Sequence, residues 1–245
     1  MKLYIDLGNT MLKCGIDDGD SIKLLFRIPT KQIDNDFINE LNKYFSNNEI
    51  ESVNISSVVP EQVKRLVGLL KNVPTNVISP LDNAGVKITI DNPKELGTDL
   101  LCDLAGARAK YGVDLLIIDL GTANKFLYLN EKGEFNSCAI TLGLGMSLKK
   151  MSSSTALLPD IDISSPKKLL DCHNTIDVLN ASAYYSQIAI INNITKQYKE
   201  EIGHDVRVIL TGGNADIFKD KLNFEFILEE YLCLYGLKII TTLKE

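Results

Sequence analysis

Short apolar blocks separated by turn residues open the chain. Residues 3–7 form an apolar run that stops at Gly8, which predicts a buried strand. Strands over 11–16 and 22–28, with a turn over 17–20, complete a meander. The period then changes. Phe37, Ile38, Leu41 and Tyr44 recur at helical spacing, so 34–45 predicts an amphipathic helix with Asp34 or Asp36 as its cap. Residues 52–59 return to strand character, and Pro60 stops that strand and opens a helix over 61–70. Short strands over 76–79 and 87–90 precede a Leu- and Ala-rich helix over 98–110, which Tyr111 and Gly112 terminate.

The opening pattern then recurs. Residues 115–120 predict a second buried strand ending in glycine, at Gly121, followed by a hairpin of 126–130 with 134–140. The loop Leu142-Gly143-Leu144-Gly145 leads into a helix from 146, and a long helix covers 180–200. A strand over 206–210 runs into Thr211-Gly212-Gly213. A short helix over 215–219, a strand-like run over 224–228 and a helix from 229 complete the pattern.

Leu3-Tyr4-Ile5-Asp6-Leu7-Gly8-Asn9-Thr10 aligns with Leu116-Ile117-Ile118-Asp119-Leu120-Gly121-Thr122-Ala123, 113 residues later. This duplication predicts two copies of one α/β fold, in domains 1–112 and 113–245, with the site at the seam between them. A length of 245 residues accommodates two domains of about 120.

Charge and cysteine content remove several function classes. The 26 basic and 32 acidic residues leave a net charge of −6, so no nucleic-acid partner is expected. No apolar run approaches the ~18 residues of a spanning helix, so no membrane partner is expected. An acidic residue at position 6 argues against a signal peptide and for a cytoplasmic location. The five cysteines are dispersed without a C-x-x-C pair. They read as small buried residues rather than as a disulfide framework or a metal cage. His173 and His204 are not spaced as a metal pair.

The repeated turn carries the chemistry. Glycine lets backbone N–H groups approach a phosphate closely, and the Asn9 amide and Thr10 hydroxyl add donors. An Asp at the strand end repels phosphate but can hold a cation that bridges to it. Two such turns could grip one polyphosphate. An ordinary strand-turn-strand hairpin uses the same Gly and Asp residues, so one copy alone is weak evidence. Thr211-Gly212-Gly213-Asn214, where a third strand feeds a helix, fits a nucleoside or ribose contact.

Two phosphate turns followed by a late Gly-Gly segment resemble actin and the sugar kinases, whose two domains are ribonuclease H-like. More narrowly, the chain resembles the type III pantothenate kinases, also called Baf-like. The matching segments include Asp6-Leu7-Gly8-Asn9-Thr10, Ile55-Ser56-Ser57-Val58-Val59-Pro60 and Asn92-Pro93-Lys94-Glu95-Leu96-Gly97-Thr98-Asp99. Asp119-Leu120-Gly121-Thr122-Ala123, Gly143-Leu144-Gly145-Met146-Ser147, Thr155-Ala156-Leu157-Leu158-Pro159, Asn174-Thr175, Thr211-Gly212-Gly213 and Leu234-Tyr235-Gly236-Leu237 continue the series.

That resemblance implies ATP-dependent phosphorylation of pantothenate, the first step of coenzyme A synthesis, by a homodimer that joins through its second half. It implies that Asp6 organises Mg2+, and that Gly8, Asn9, Thr10 and Lys13 line the first phosphate loop. Gly121 and Thr122 would form the opposing loop, and Gly212 and Gly213 would face the nucleotide. Asp119 is similar to the ligand of a monovalent cation, K+ or NH4+. Asp99 matches the general base, while Gly97, Thr98 and Thr175 match substrate contacts, Thr175 reaching in from the partner subunit. As a residue at a helix start, Asp99 is also favoured by the helix dipole.

Six positions depart from the family pattern. Leu100 stands where an Arg follows the base, and Ile90 where a Tyr precedes the Asn-Pro segment. Asn124-Lys125 replaces Thr-Thr, Leu142 replaces a Pro, and Ser182 replaces a Gly. Leu supplies neither the charge nor the fork of Arg. Two readings follow: an active kinase, or a catalytically weakened nucleotide-binding or regulatory member. Lys125 leaves two readings open, a solvated surface lysine beside the turn or an ammonium that pairs with Asp119 in place of K+.

Overall fold

A computed structural model describes residues 1–17, 19, 22–45, 50–70 and 73–244. In chain order the elements are β1 (Lys2–Leu7), β2 (Met11–Asp17), β3 (Ile22–Pro29), α1 (Ile33–Leu41), β4 (Ser52–Ser57), α2 (Pro60–Leu69), β5 (Thr75–Val77), β6 (Lys87–Ile88) and α3 (Thr98–Tyr111). There follow β7 (Leu115–Leu120), β8 (Ala123–Leu129), β9 (Glu134–Leu142), α4 (Leu144–Ser153), α5 (Thr175–Ile202), β10 (Arg207–Thr211), α6 (Ala215–Phe218), β11 (Ile227–Leu228) and α7 (Leu232–Thr242).

The chain divides into two compact units. Unit 1 comprises Met1–Leu115, Leu129–Ser137 and Tyr231–Glu245, and unit 2 comprises Leu116–Tyr128 and Cys138–Glu230. This differs from a single cut at 112/113. The C-terminal helix explains most of the difference, because α7 packs on α3. Gly106 and Gly236 make that packing possible: a Cβ on Gly106 would lie 2.8 Å from the Leu232 carbonyl, and one on Gly236 would overlap the Cys102 carbonyl.

In unit 1 the sheet order is β3-β2-β1-β4-β5. β1 runs antiparallel to β2 and parallel to β4, and β5 is parallel to β4. Leu3, Ile5 and Leu7 of β1 are fully buried against Phe37 of α1 and Leu66 of α2 in one core. Also in unit 1, β6 pairs in parallel with the Glu134–Phe135 end of β9. In unit 2 the strands follow the order β11-β10-β7-β8-β9. Leu116, Ile118 and Leu120 of β7 share a core with Phe126, Leu148 of α4, Ile191 of α5 and Phe218.

Most predicted elements exist, with shifted ends. α1 ends at Leu41, short of the expected 45, and its N-cap is Gln32 with no side-chain cap bond. Asp34 and Asp36 lie instead in its first turn, where the helix dipole favours them. Pro60 opens α2 as expected. Gly112, at φ 85°, closes α3. α5 starts five residues earlier than its apolar pattern, because the Asn174 side chain accepts a hydrogen bond from the Asp177 N–H and caps it. The strand expected over 224–228 shrinks to Ile227–Leu228. Asp18 and Asp20 of the expected 17–20 turn lie outside the described residues. Of the cysteines, Cys14 and Cys102 are buried, but Cys138 is exposed, since it faces outward from β9. Among the described residues no helix is long and apolar enough to cross a membrane.

Candidate active site

The first Asp-Gly turn lies in unit 1. Asp6 sits one residue before the end of β1, directly across from Lys13 in the β1–β2 register. The Lys13 Nζ lies 3.4 Å from Asp6 Oδ2. Such directly opposed residues are close-range side-chain neighbours. The Gly8 N–H donates to the Met11 carbonyl at 3.1 Å and closes the turn. Asn9 and Thr10 at its tip are exposed. Two hydrogen bonds from Thr30 hold the turn from behind. Its hydroxyl donates to the Gly8 carbonyl at 2.7 Å, and its N–H donates to the Thr10 carbonyl at 3.0 Å. Thr30 is buried. It was invisible in the sequence, because a Thr after a strand-ending Pro carries no signal.

The expected base lies in the same unit. Asp99 occupies the first turn of α3 and is half-buried, and its Oδ1 accepts a hydrogen bond from the Leu100 N–H at 2.9 Å. Gly97 lies close beneath it: a Cβ there would meet the Asp99 carboxylate oxygen, which would have to swing away. Leu100 is buried, so it serves the packing of α3 rather than the charge role of the Arg it replaces. Thr98 is buried as well, and its hydroxyl bonds to Ser56 and Ser57.

The second turn lies in unit 2. Asp119 again sits one residue before the strand end, and is 9% exposed. The Lys125 Nζ lies 2.5 Å from Asp119 Oδ2. The Gly121 N–H donates to the Ala123 carbonyl at 3.2 Å, which makes this turn one residue tighter than the first. Thr122 is exposed at its tip.

Two glycines wedge this turn. A Cβ on Gly212, whose φ is +98°, would overlap the Asp119 carboxylate and the Leu120 backbone. A Cβ on Gly143 would lie 2.5 Å from the Gly121 and Thr122 carbonyls. Asn214 completes the brace: its Nδ2 donates to the Gly121 carbonyl and its N–H to the Leu120 carbonyl, both at 2.8 Å. Thus Gly212 and Asn214 join the Gly-Gly segment to the second Asp-Gly turn, while Gly213 is exposed and a Cβ there would meet nothing within 4 Å. Asn214 belongs to the Thr-Gly-Gly-Asn motif, but nothing in its spacing signals this bracing role.

Asn124 and Lys125, which replace a Thr pair, therefore have distinct duties. Lys125 pairs with Asp119. Asn124 is fully buried and donates to Gln187 of α5 at 2.6 Å, and Gln187 donates to Ser147 of α4 at 3.2 Å. Thr175, the first residue of α5, is exposed in unit 2.

Two thiols of unit 1 that lie against each other are shifted upward. Burial pushes Cys102 up. The hydrogen bond with Cys102, and then burial, push Cys233 well up. Both stay protonated at neutral pH, which suits packing and not nucleophilic chemistry.

Two α/β units, each with an Asp-x-Gly turn after its first long strand, define the actin and sugar-kinase class of ATPase folds. The fold likeness spans the chain. A protein from Sinorhizobium meliloti described as a 2-dehydro-3-deoxygalactonokinase superposes with a TM-score of 0.60 at 13% identity, covering 100% of this chain and 99% of its own. An archaeal actin homolog superposes at 0.51 and 10% identity, with 99% of each chain covered.

Within that class the chain belongs to the type III pantothenate kinase family, whose model matches residues 2–197. A type III pantothenate kinase of Acholeplasma laidlawii is 35% identical, with 97% of this chain and 96% of that protein covered. One of Geobacter sulfurreducens is 34% identical, with 98% of both covered.

Proposed function

We propose that this protein transfers the γ-phosphoryl group of ATP to the primary hydroxyl of pantothenate, giving 4'-phosphopantothenate in the first step of coenzyme A biosynthesis. The family match carries this reading, together with Asp6, Asp99 and Asp119 at element ends in their turns. Nothing favours the weakened alternative: Leu100 sits in the α3 packing without displacing Asp99.

Phosphoryl transfer needs positioning and charge stabilisation more than covalent help. Asp99 orients the pantothenate hydroxyl and takes its proton, with Gly97 beneath the carboxylate and Thr175 of the partner subunit contacting the substrate. Gly8, Asn9, Thr10 and Lys13 bind phosphate at the first turn, and Gly121 and Thr122 at the second. Gly212 and Gly213 contact the nucleotide. Asp6 suits Mg2+, because it is a hard oxygen donor whose contact to Lys13 is long at 3.4 Å. When bound, that ion neutralises charge on the phosphate oxygens.

The family resemblance implies K+ or NH4+ beside Asp119. The 2.5 Å ion pair supports the Lys125 ammonium as its replacement. A homodimer is supported by apolar side chains left exposed in unit 2, among them Ile140, Leu170, Ile176 and Val178. Sedimentation at micromolar concentration should give twice the chain mass; a monomer rejects the dimer. A cytoplasmic location completes the reading.

The deciding assay mixes the protein with ATP, Mg2+ and pantothenate and detects phosphopantothenate by mass. Nucleotide binding without pantothenate-dependent ATP consumption would reject the kinase reading.

A further inference from the structure

Thr98 has no capacity left for a substrate. Its Oγ1 accepts hydrogen bonds from the Ser56 hydroxyl and the Ser57 N–H, and donates to the Ser57 carbonyl, all at 3.0 Å. A hydroxyl has one proton and two lone pairs, so these three bonds exhaust it. Burial of the side chain also keeps it from solvent.

The partners matter as much as the number. Ser56 and Ser57 are the last residues of β4, and they stand beside Asp6 and Leu7 of β1 in parallel register. Thr98 is the first residue of α3, next to Asp99. A short bonded path therefore runs from the strand pair carrying Asp6, through Ser56 and Ser57, to Thr98 and the helix start carrying Asp99. Every member lies within unit 1. The Ser57 hydroxyl tightens the same corner by donating to the Leu7 carbonyl at 3.3 Å and accepting from the Val59 N–H at 2.9 Å.

We propose that Thr98 is a positioning residue, a clasp that fixes the start of α3 on the end of β4 and so holds the Asp99 carboxylate at a set distance from Asp6. The proposal rests on the kinase reading for Asp99 as base. Loss of the clasp leaves Asp99 chemically intact but misplaced, and small misplacements of a reacting group are costly in rate. A substrate contact would instead show itself in the KM for pantothenate.

The test uses the full-length protein with Thr98→Val, which keeps the shape and removes the hydroxyl, and Thr98→Ser, which restores it. kcat, the KM for pantothenate, ATP affinity and amide hydrogen exchange over residues 99–102 are measured for each. Thr98→Val should lower kcat about tenfold or more. KM and ATP affinity should stay within about twofold, and exchange at the start of α3 should quicken. Thr98→Ser should recover most of both losses.

Wild-type kcat in Thr98→Val, or a loss confined to the KM for pantothenate, overturns the clasp. If Thr98→Val does not fold, Ser56→Ala removes one of the three contacts and must lower kcat with the same split; wild-type kcat there also overturns it. If the wild type does not phosphorylate pantothenate, the kinase reading fails separately. The clasp then stands or falls on exchange, and unchanged exchange in folded Thr98→Val rejects it.

Discussion

The two Asp-Gly turns are copies in sequence but are held differently. At the first turn the lysine across from the aspartate stays 3.4 Å away, and the support comes from behind, through Thr30. At the second the lysine closes to 2.5 Å, and Gly143, Gly212 and Asn214 press on the turn. The longer pair holds Asp6 less closely to its lysine, although the two aspartates are equally shielded, with side chains 13% exposed. A tight, part-buried pair keeps Asp119 committed to its lysine, and the wedged backbone leaves the turn little freedom. One turn is suited to changing partners and the other to presenting fixed charge, which is what preorganised stabilisation requires.

The largest expected effect tests the division of labour within unit 1. Asp99→Asn should lower kcat about 100-fold or more, the upper range for losing a general base, with nucleotide binding in Mg2+ retained. Asp6→Asn should do the reverse in binding, weakening nucleotide affinity only when Mg2+ is present. Titrating nucleotide with and without Mg2+, alongside turnover, separates the two. Unchanged turnover in Asp99→Asn removes it as the base.

The turns should also differ in their tolerance of a methyl group. Gly212→Ala places a Cβ into Asp119 and Leu120 at a positive φ. Left-handed strain and overpacking together should cost about 3 kcal/mol or more. Gly8→Ala meets only the Met11 carbonyl, at 3.3 Å, and should cost about 1 kcal/mol or less. Denaturant midpoints of the two variants check this. Equal losses would mean that the second turn is no more tightly wedged than the first.

Much of this was legible in the sequence, for physical reasons that are local. The strand runs, Pro60, Gly112 and the duplicated Asp-Leu-Gly act on their own neighbours, so the chain order of elements and both turns could be read directly. The end of α1, the early start of α5 and the assignment of α7 to unit 1 depend on capping and on what packs against each element. The residues that brace the site follow the same rule. Thr30 is 22 positions from Gly8, and Asn214 is 93 positions from Gly121. Such pairings depend on topology, which no spacing pattern records. Alternation alone puts Lys125 and Asp119 on one face, but the glycine turn between them breaks that register, so a solvated surface lysine was an equally good reading until the structure showed the pair.

The smallest effect expected is on cation dependence, and it is specific to the second turn. Lys125 and Asp119 are both largely shielded from water, with side chains 17% and 13% exposed. Removing one partner of such a pair leaves an uncompensated charge. Lys125→Thr therefore leaves the Asp119 carboxylate in want of a cation, and K+ is a fitting replacement. Wild-type turnover should be the same in potassium-free buffer and in K+ at matched ionic strength. Lys125→Thr should lose about tenfold in potassium-free buffer, equivalent to about 1.4 kcal/mol of charge stabilisation, and regain most of it with K+. Lys13→Thr should show no such rescue if, as proposed, Asp6 serves Mg2+ rather than a monovalent cation. A strong K+ requirement in the wild type would reject the ammonium as a built-in cation. An equal K+ response in both variants would reject the contrast between the turns.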